Sequence, residues 1–415
     1  MYNAPRGTTD ILPAEQAYWR FVEQKAAHVC QLFGYQRIDL PIFEDTGLFV
    51  KGTGETTDIV QKEMYTFEDL GGNSLTLKPE GTPSVCRAYL EHGFNNLPQP
   101  VKLYYFSPIF RYERPQAGRY RQHYQFGIEA LGEADAVMDA EVINIACQFL
   151  ALLGLKRSNL FINSIGCPQC RPTHHKALRE YYTGRVDNLC PDCKIRLERN
   201  VLRLLDCKQP GCQAIAVDAP KSIDYLCIEC DDHFQKLQSY LSLLAIPFSV
   251  NPQLVRGLDY YARTVFEIQP EEEKSQSTLV GGGRYDGLIE TLGGKPTPGI
   301  GFGCGFERII LNLRKEGIIV PPVPSPQVFF AFLGENACQE AIKLTAALRN
   351  ADIRVVIATS PKSLKAQLRH ANNLGIPKAV IIGEDEVKSG VVVLRDMATS
   401  QQKTIKPQDL AELLK

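Results

Sequence analysis

Polar and apolar positions alternate along two stretches of the chain with the period of a β-strand. From His123 onward, His123, Gln125, Gly127 and Glu129 fall on one face, and Tyr124, Phe126, Ile128 and Ala130 on the other. Phe106-Ser-Pro-Ile-Phe-Arg111 precedes this run, and a loop with Pro115 and Gly118 lies between the two. The pattern predicts a long hairpin whose returning strand offers a polar face to a ligand over an apolar backing. In Gly299-Ile-Gly-Phe-Gly-Cys-Gly-Phe-Glu-Arg308 the alternation strips one face bare at Gly299, Gly301, Gly303 and Gly305, while Ile300, Phe302, Cys304 and Phe306 are expected to pack on the other. A bare sheet face admits a flat ring, and the apolar helix that follows puts Arg308 beside that platform. Lys78-Pro-Glu80-Gly-Thr82-Pro83 reads as a turn feeding a helix with Thr82 as N-cap and Pro83 at the first position, closed near Gly93. Glu80 then stands at a helix entrance, where a carboxylate either serves the helix dipole or receives a cationic ligand group.

Late in the chain the pattern changes. Short apolar runs at 328–333, 353–357 and 379–382 alternate with amphipathic helices at 337–349 and 363–374, which predicts a small α/β module over 327–415. Pro321-Pro-Val-Pro-Ser-Pro326 carries four prolines in six residues and makes a stiff connector over 321–326. Upstream, residues 1–166 and 236–320 hold sequence features that belong to one site, and a cysteine-rich segment at 167–235 is read as a module inserted between them.

That segment contains eight of the 13 cysteines: Cys167 with Cys170, Cys190 with Cys193, Cys207 with Cys212, and Cys227 with Cys230. Two thiolates from one tight turn suit a tetrahedral Zn(II), so the eight point to two four-thiolate structural sites; buried reduced thiols are the alternative. Which pairs combine is not readable from spacing.

At 415 residues, with 44% hydrophobic and 22% charged positions, the chain belongs to the globular class with two or three domains, and a disordered or collagen-like chain is excluded. The net charge of -1 excludes a polybasic protein, so a nucleic-acid partner must be held by a local patch. Lys362, Lys365 and Arg369 at helical spacing, in a tail with 12 Lys and Arg against nine Asp and Glu, are consistent with phosphate contact or equally with a solvated helix face. The N-terminus lacks the apolar core of a secretory signal, and no apolar stretch is read as reaching the roughly 18–20 residues that span a bilayer. A soluble, cytoplasmic protein with no membrane partner is expected.

Four arginines, Arg111, Arg114, Arg119 and Arg121, crowd the hairpin loop, which suits phosphate. Leu254-Val-Arg256-Gly-Leu-Asp259-Tyr260-Tyr261 and Gly281-Gly-Gly-Arg284-Tyr285-Asp286-Gly287 read as loops whose glycines let backbone approach a ligand.

Together these stretches resemble the histidyl-tRNA synthetases, a family of class II aminoacyl-tRNA synthetases. The Arg111 hairpin is similar to class motif 2, the run from Gly299 to Arg308 to motif 3, and the surroundings of Leu40-Pro41 to the more degenerate motif 1. Arg256-Gly-Leu-Asp-Tyr-Tyr261 and Gly281-Gly-Gly-Arg-Tyr-Asp-Gly-Leu288 are similar to the two signatures peculiar to the histidine enzyme, and Pro5-Arg-Gly-Thr-Thr-Asp-Ile-Leu-Pro13 also fits. The resemblance implies an α+β fold: an antiparallel-sheet catalytic core, with the Cys-rich insertion, and a C-terminal α/β anticodon-binding domain, in a homodimer. It implies ATP with Mg as cosubstrate, and histidine and tRNA(His) as partners.

It also implies roles. Arg256 and Arg111 would be catalytic. Arg111, Glu113, Arg308, Gly303 and Gly305 would bind ATP. Glu80, Thr82 and Gln125 would hold the α-amino group of histidine, Glu129 and Tyr261 the two ring nitrogens, with Tyr260, Tyr285, Arg111 and Arg256 completing the pocket. Gln116, Arg119 and Arg121 would meet the tRNA acceptor end. Two features depart from the family pattern: His123 stands where an adenine-stacking Phe is common, and the cysteine pairs are not required by the chemistry. Zinc there would be structural, fastening a module that embraces the acceptor arm. The synthetase-like regulatory subunit of ATP phosphoribosyltransferase is the alternative; Arg111, Arg256, Arg308 and the C-terminal module speak against it.

Overall fold

The computed structural model describes residues 2–113, 120–271, 278–359 and 362–414. The chain divides into two units, Met1–Pro321 and Pro322–Lys415, at the proline-rich connector.

The first unit is built on an eight-stranded sheet in the order Gln36–Arg37, Val101–Phe110, Gln122–Leu131, Gly299–Gly305, Val280–Arg284, Ala262–Pro270, Ser158–Ser164, Ser249–Val250. The two outermost pairs are parallel and the rest antiparallel. The expected hairpin is present, and its returning strand lies beside the glycine strand, with Glu129 opposite Gly301 and Gly127 opposite Gly303. Phe126, Ile128, Ala130, Ile300, Phe302, Cys304 and Phe306 enter one apolar core with the helices Gln16–Leu32, Ala136–Leu153 and Phe306–Lys315. The alternation therefore divides this sheet as expected, apolar residues to the helical layer and polar or absent side chains to the opposite face.

Helix Ala136–Leu153 corrects one expectation. Its 18 residues have a mean hydropathy of 1.6, long and apolar enough to cross a bilayer by composition, yet 61% of it is buried inside the protein. Its hydrophobicity is that of a central core helix. It also carries the fully buried Asp139, which accepts from Arg284 Nε at 2.6 Å, Thr264 Oγ1 at 2.6 Å and His233 Nε2 at 2.7 Å.

A second correction concerns residues 281–284, expected as a loop. Val280–Arg284 is instead a strand in the middle of the sheet. Its glycines serve packing: a methyl on Gly282 would lie 2.7 Å from Phe302 Cβ, and one on Gly281 would lie 2.5 Å from the Arg256 guanidinium. Arg284 is fully buried against Asp139.

Helix Thr82–Glu91 begins at the cleft described below, and Phe43–Asp45, Ser74–Leu77 and Tyr65–Glu68 form a separate three-stranded sheet, in that order. The cysteine-rich segment forms helices Arg171–Thr183, Pro191–Arg199 and Pro210–Ala216 around a core that includes Leu178, Tyr182, Cys193 and Leu204 and is continuous with Leu254, Val255, Tyr261 and Val265 outside the segment. Helix Ile228–Leu243 begins at this module and then sends Phe234, Leu237 and Leu241 into the main core, so residue 235 falls inside one continuous helix.

The second unit is a five-stranded sheet, Val355–Ile357, Val328–Phe332, Lys378–Ile382, Val392–Asp396 and Gln402–Ile405 in order, with helices Glu335–Asn350 and Leu364–Asn373 among its connections. The first three strands are parallel, as the alternation of strand and helix implies; the last two pair antiparallel and extend the sheet beyond the three strands read from sequence.

Candidate active site

A cleft of about 1150 Å³, open to solvent, lies on the polar face of the large sheet. Eleven residues singled out from sequence line it: Glu80 and Thr82 at the helix entrance, Arg111, Glu113 and Gln125 from the hairpin, Arg256, Tyr260 and Tyr261 from the first histidine-type signature, and Gly303, Gly305 and Arg308 from the glycine strand and its helix. His123 lines it too. Burial, with the Arg111 and Arg308 guanidiniums nearby, depresses the His123 pKa to about 3, so its ring is neutral at physiological pH.

Each guanidinium is held in place. Arg111 donates from Nε to the Pro79 carbonyl at 2.8 Å. Arg308 donates from Nη1 to the Thr278 carbonyl at 2.8 Å. Arg256 is paired with Glu267, whose other oxygen accepts from Gln269 Nε2 at 2.7 Å and Thr278 Oγ1 at 2.8 Å. Only glycine at 281 leaves room for that guanidinium. A cation fixed by a half-buried carboxylate whose two oxygens are both bonded need not reorganise when charge develops beside it.

Two buried carboxyls lie at the end of the cleft nearest Tyr260 and Thr82. Glu80, 3% exposed, accepts from Thr53 Oγ1 at 2.5 Å and Tyr260 OH at 2.7 Å. Burial raises its pKa against the opposing effect of those two donors. Glu129, 1% exposed, accepts from Thr82 Oγ1 at 2.7 Å and from Tyr285 OH. Burial is the main cause that raises its pKa to about 8, with the Tyr285 and Thr82 hydrogen bonds lowering it and Glu80 adding to the rise. Thr82 therefore does not cap its helix; Gly81 occupies the cap position, and the Thr82 hydroxyl goes to the buried carboxyl instead. Tyr285 and Glu129 lie beneath the cleft floor and are joined to it through Thr82.

The glycine platform is narrower than the alternation implies. Methyls on Gly299, Gly301 and Gly303 would collide with Tyr285, Glu129 and Gln125 respectively, while one on Gly305 would meet nothing within 4 Å. The odd-numbered face is thus filled at its inner end by the side chains around Glu129, and open at the end nearest Arg308.

Gln116 and Arg119 lie outside the described residues. Arg121 stacks 3.8 Å from the Tyr112 ring centroid at the base of the hairpin loop. The eight cysteines form two groups, Cys167/Cys170/Cys227/Cys230 and Cys190/Cys193/Cys207/Cys212, in each of which the sulfurs lie within 4.8 Å of one another. Thr53, Glu267 and Glu307 complete the site and carried no sequence signal. Glu307 accepts from the Tyr124 N–H, and burial raises its pKa to about 7.

Residues 7–169 and 199–309 match the histidyl-tRNA synthetase family, and residues 327–415 match the anticodon binding domain. The chain is 60% identical over 405 residues to the histidine–tRNA ligase of Dehalococcoides mccartyi strain 195, covering 98% of this chain and 97% of that protein. It is 50% identical over 412 residues to that of Caldicellulosiruptor saccharolyticus, covering 99% and 98%. Among solved structures, apo histidyl-tRNA synthetase of S. aureus superposes with a TM-score of 0.84 at 35% identity over 100% of both chains. An ATP phosphoribosyltransferase regulatory subunit/histidyl-tRNA synthetase from Bacillus halodurans shares the fold, with a TM-score of 0.65 at 21% identity over 92% of this chain and 97% of that one. By family match, identity and coverage, the chain belongs to the histidyl-tRNA synthetase family.

Proposed function

We propose that the cleft is where this aminoacyl-tRNA synthetase activates histidine. The enzyme joins histidine to ATP as histidyl-adenylate with release of pyrophosphate, then transfers histidine to the 3′-terminal ribose of its tRNA. What carries the assignment of the site is the convergence of three braced guanidiniums, Arg111, Arg256 and Arg308, on a cleft floored by buried carboxyls.

In the first step a histidine carboxylate oxygen attacks the α-phosphorus; the new O–P bond forms as the bond to the pyrophosphate oxygen breaks. The nucleophile is already ionised, so the protein's task is to orient it and neutralise phosphate charge. Arg111 and Arg256 contact the α-phosphate, and Arg308 the γ-phosphate. Adenine lies over Gly305, where the platform is open, and reaches toward Gly303, with Glu113 alongside. Mg²⁺ accompanies the phosphates; Glu113 and Glu307 are the cleft carboxylates it would draw on, supplying the hard oxygens it prefers.

A neutral imidazole has one N–H donor and one acceptor nitrogen. Glu129 takes the N–H and Tyr261 donates to the other nitrogen. The Glu129 carboxyl accepts one hydrogen bond on each oxygen, from Thr82 and from Tyr285, which leaves acceptor capacity for the ring N–H. Glu80, Thr82 and Gln125 receive the α-amino group. A competitor without ring nitrogens leaves these groups unpaired, a loss on the order of 10⁴-fold.

The loop at Gln116, Arg119 and Arg121 meets the acceptor end, and residues 327–415 hold the anticodon. A homodimer is supported by exposed Ile42 and Phe43 next to Leu40-Pro41, the stretch resembling motif 1, and by exposed Phe67, 6.3 Å from Phe43 between ring centroids. The cysteine groups hold structural zinc, and the enzyme works in the cytoplasm. Single-turnover formation of histidyl-adenylate tests the site: Arg256→Ala should slow it about 10²- to 10³-fold. An unchanged rate would remove Arg256 from the chemistry.

A further inference from the structure

The two cysteine groups are spaced as metal centres. Cys167 and Cys170 Sγ atoms are 3.7 Å apart, Cys167 and Cys227 3.8 Å, and Cys190 and Cys207 3.8 Å. A disulfide requires about 2.05 Å. Four thiolates about 2.3 Å from a tetrahedral zinc have an edge of about 3.8 Å, which these distances match. Backbone N–H groups point at sulfur in both groups, Cys167 to Cys170 at 3.1 Å and Cys190 to Cys212 at 3.3 Å, as thiolate charge requires. By contrast Cys30 and Cys304 are buried in the apolar core, where they pack as small hydrophobes.

Both groups also lead to the same wall of the amino-acid pocket. Arg171, next to Cys170, donates from Nη2 to the Tyr261 carbonyl at 2.8 Å. Backbone bonds from Ile165 to Arg263 at 2.8 Å and from Arg263 to Gly166 at 2.9 Å flank this contact. From the second group, helix Pro191–Arg199 runs into Asn200, whose Nδ2 donates to Asp259 Oδ1 at 2.6 Å. Arg196 and Arg203 on either side grip Asp58 at 3.1 and 3.3 Å. The Asp259 N–H in turn donates to the Thr53 carbonyl at 3.2 Å, and the Thr53 hydroxyl holds Glu80.

We infer that the inserted module carries two independent tetrathiolate zinc centres, Cys167/Cys170/Cys227/Cys230 and Cys190/Cys193/Cys207/Cys212, which serve as two tethers on residues 259–261 and so position the histidine pocket. This rests on the structural-zinc reading above and goes beyond it by assigning the two centres an effect on the pocket. The first centre closes the module's root, joining residues 60 positions apart where the chain leaves and re-enters the core. The second stiffens the helix that reaches Asp259. Arg171 is a positioning residue: it acts through Tyr261 and touches no substrate.

The test uses the full chain purified without chelator. Zinc by mass spectrometry should be two per chain, falling to one in Cys227→Ser and one in Cys193→Ser. Because loss of a ligand can unfold the module, a second arm leaves the metals intact. Arg171→Met should retain two zincs, raise the KM for histidine about tenfold, as loss of a charged hydrogen bond does, and leave the KM for ATP within about twofold. Arg171→Lys should restore part of the loss. Absence of zinc would overturn the metal reading itself, and one zinc per chain would overturn two independent centres. Two zincs with an unchanged histidine KM in Arg171→Met, or with both KM values raised equally, would overturn the tether alone.

Discussion

Alanine at Gly301, Gly303 and Gly305 should give three different outcomes although the three positions share one strand face. At Gly301 the added methyl would overlap the Ile128 backbone carbonyl and lie 2.8 Å from the Glu129 carboxyl carbon, against about 3.5–4.0 Å for a favourable contact. A backbone carbonyl in the sheet cannot move aside, so the cost is that of overpacking, about 1–3 kcal/mol, together with displacement of Glu129. At Gly303 the obstacle is the end of the Gln125 side chain, its Cδ 2.9 Å away, which can rotate. Stability should then fall by less than about 1 kcal/mol, with a raised histidine KM as Gln125 leaves its place. At Gly305 nothing lies within 4 Å, and alanine loses less backbone entropy than glycine, so stability should hold or rise by up to about 1 kcal/mol. The methyl there enters the side of the cleft proposed for adenine, so the KM for ATP should rise while that for histidine stays. Urea denaturation and pyrophosphate exchange with each substrate varied separately would measure all three. Equal destabilisation at Gly301 and Gly305, or a histidine-selective defect at Gly305, would refute the division of this strand into a filled inner end and an open outer end.

Glu129→Gln should raise the histidine KM by about tenfold or more, read by exchange at saturating ATP, because one of the two oxygens that accept from Thr82, Tyr285 and the ring N–H becomes an NH2 donor. The same variant should alter the pH dependence of stability. Glu129 has a folded pKa of about 8 against an ordinary 4.5, so the folded state binds the extra proton; its contribution is fully present below about pH 4.5 and is lost as the pH rises through about 8. Melting temperatures should decline over that range in the parent and decline less in Glu129→Gln, with Glu307, at about 7, accounting for part of the remaining slope. Arg284→Met should destabilise by about 3–5 kcal/mol in urea titrations, since it leaves the buried Asp139 carboxylate without its cation.

The faces of the hairpin and of the glycine strand were legible because a period of two, once one residue is placed, places all the others, and Phe126, Ile128, Ile300 and Phe302 lie where it puts them. Glu80, Arg111, Arg256 and Arg308 were named by motif and meet in one cleft. Local rules failed where a distant group competed. Thr82 suits a helix cap, but Glu129, 47 residues away, offers a stronger acceptor. Glycines at 281–283 hid a central strand because no side-chain alternation remained to reveal it. The Arg256–Glu267 pair and the Thr53–Glu80 bond arise from strand register and loop path, which spacing does not encode. The same is true of the cysteine groups: Cys167 meets Cys227, not the nearer Cys190 pair, because both ends of the module return to one point on the sheet.

Amino-acid-dependent ATP–pyrophosphate exchange with each of the twenty amino acids in turn, and Arg256→Ala as control, tests the central claim most directly. Exchange with histidine alone, reduced at least 10²-fold in the control, is the predicted result. Exchange driven by another amino acid, or none at all from folded protein that binds ATP, would contradict it.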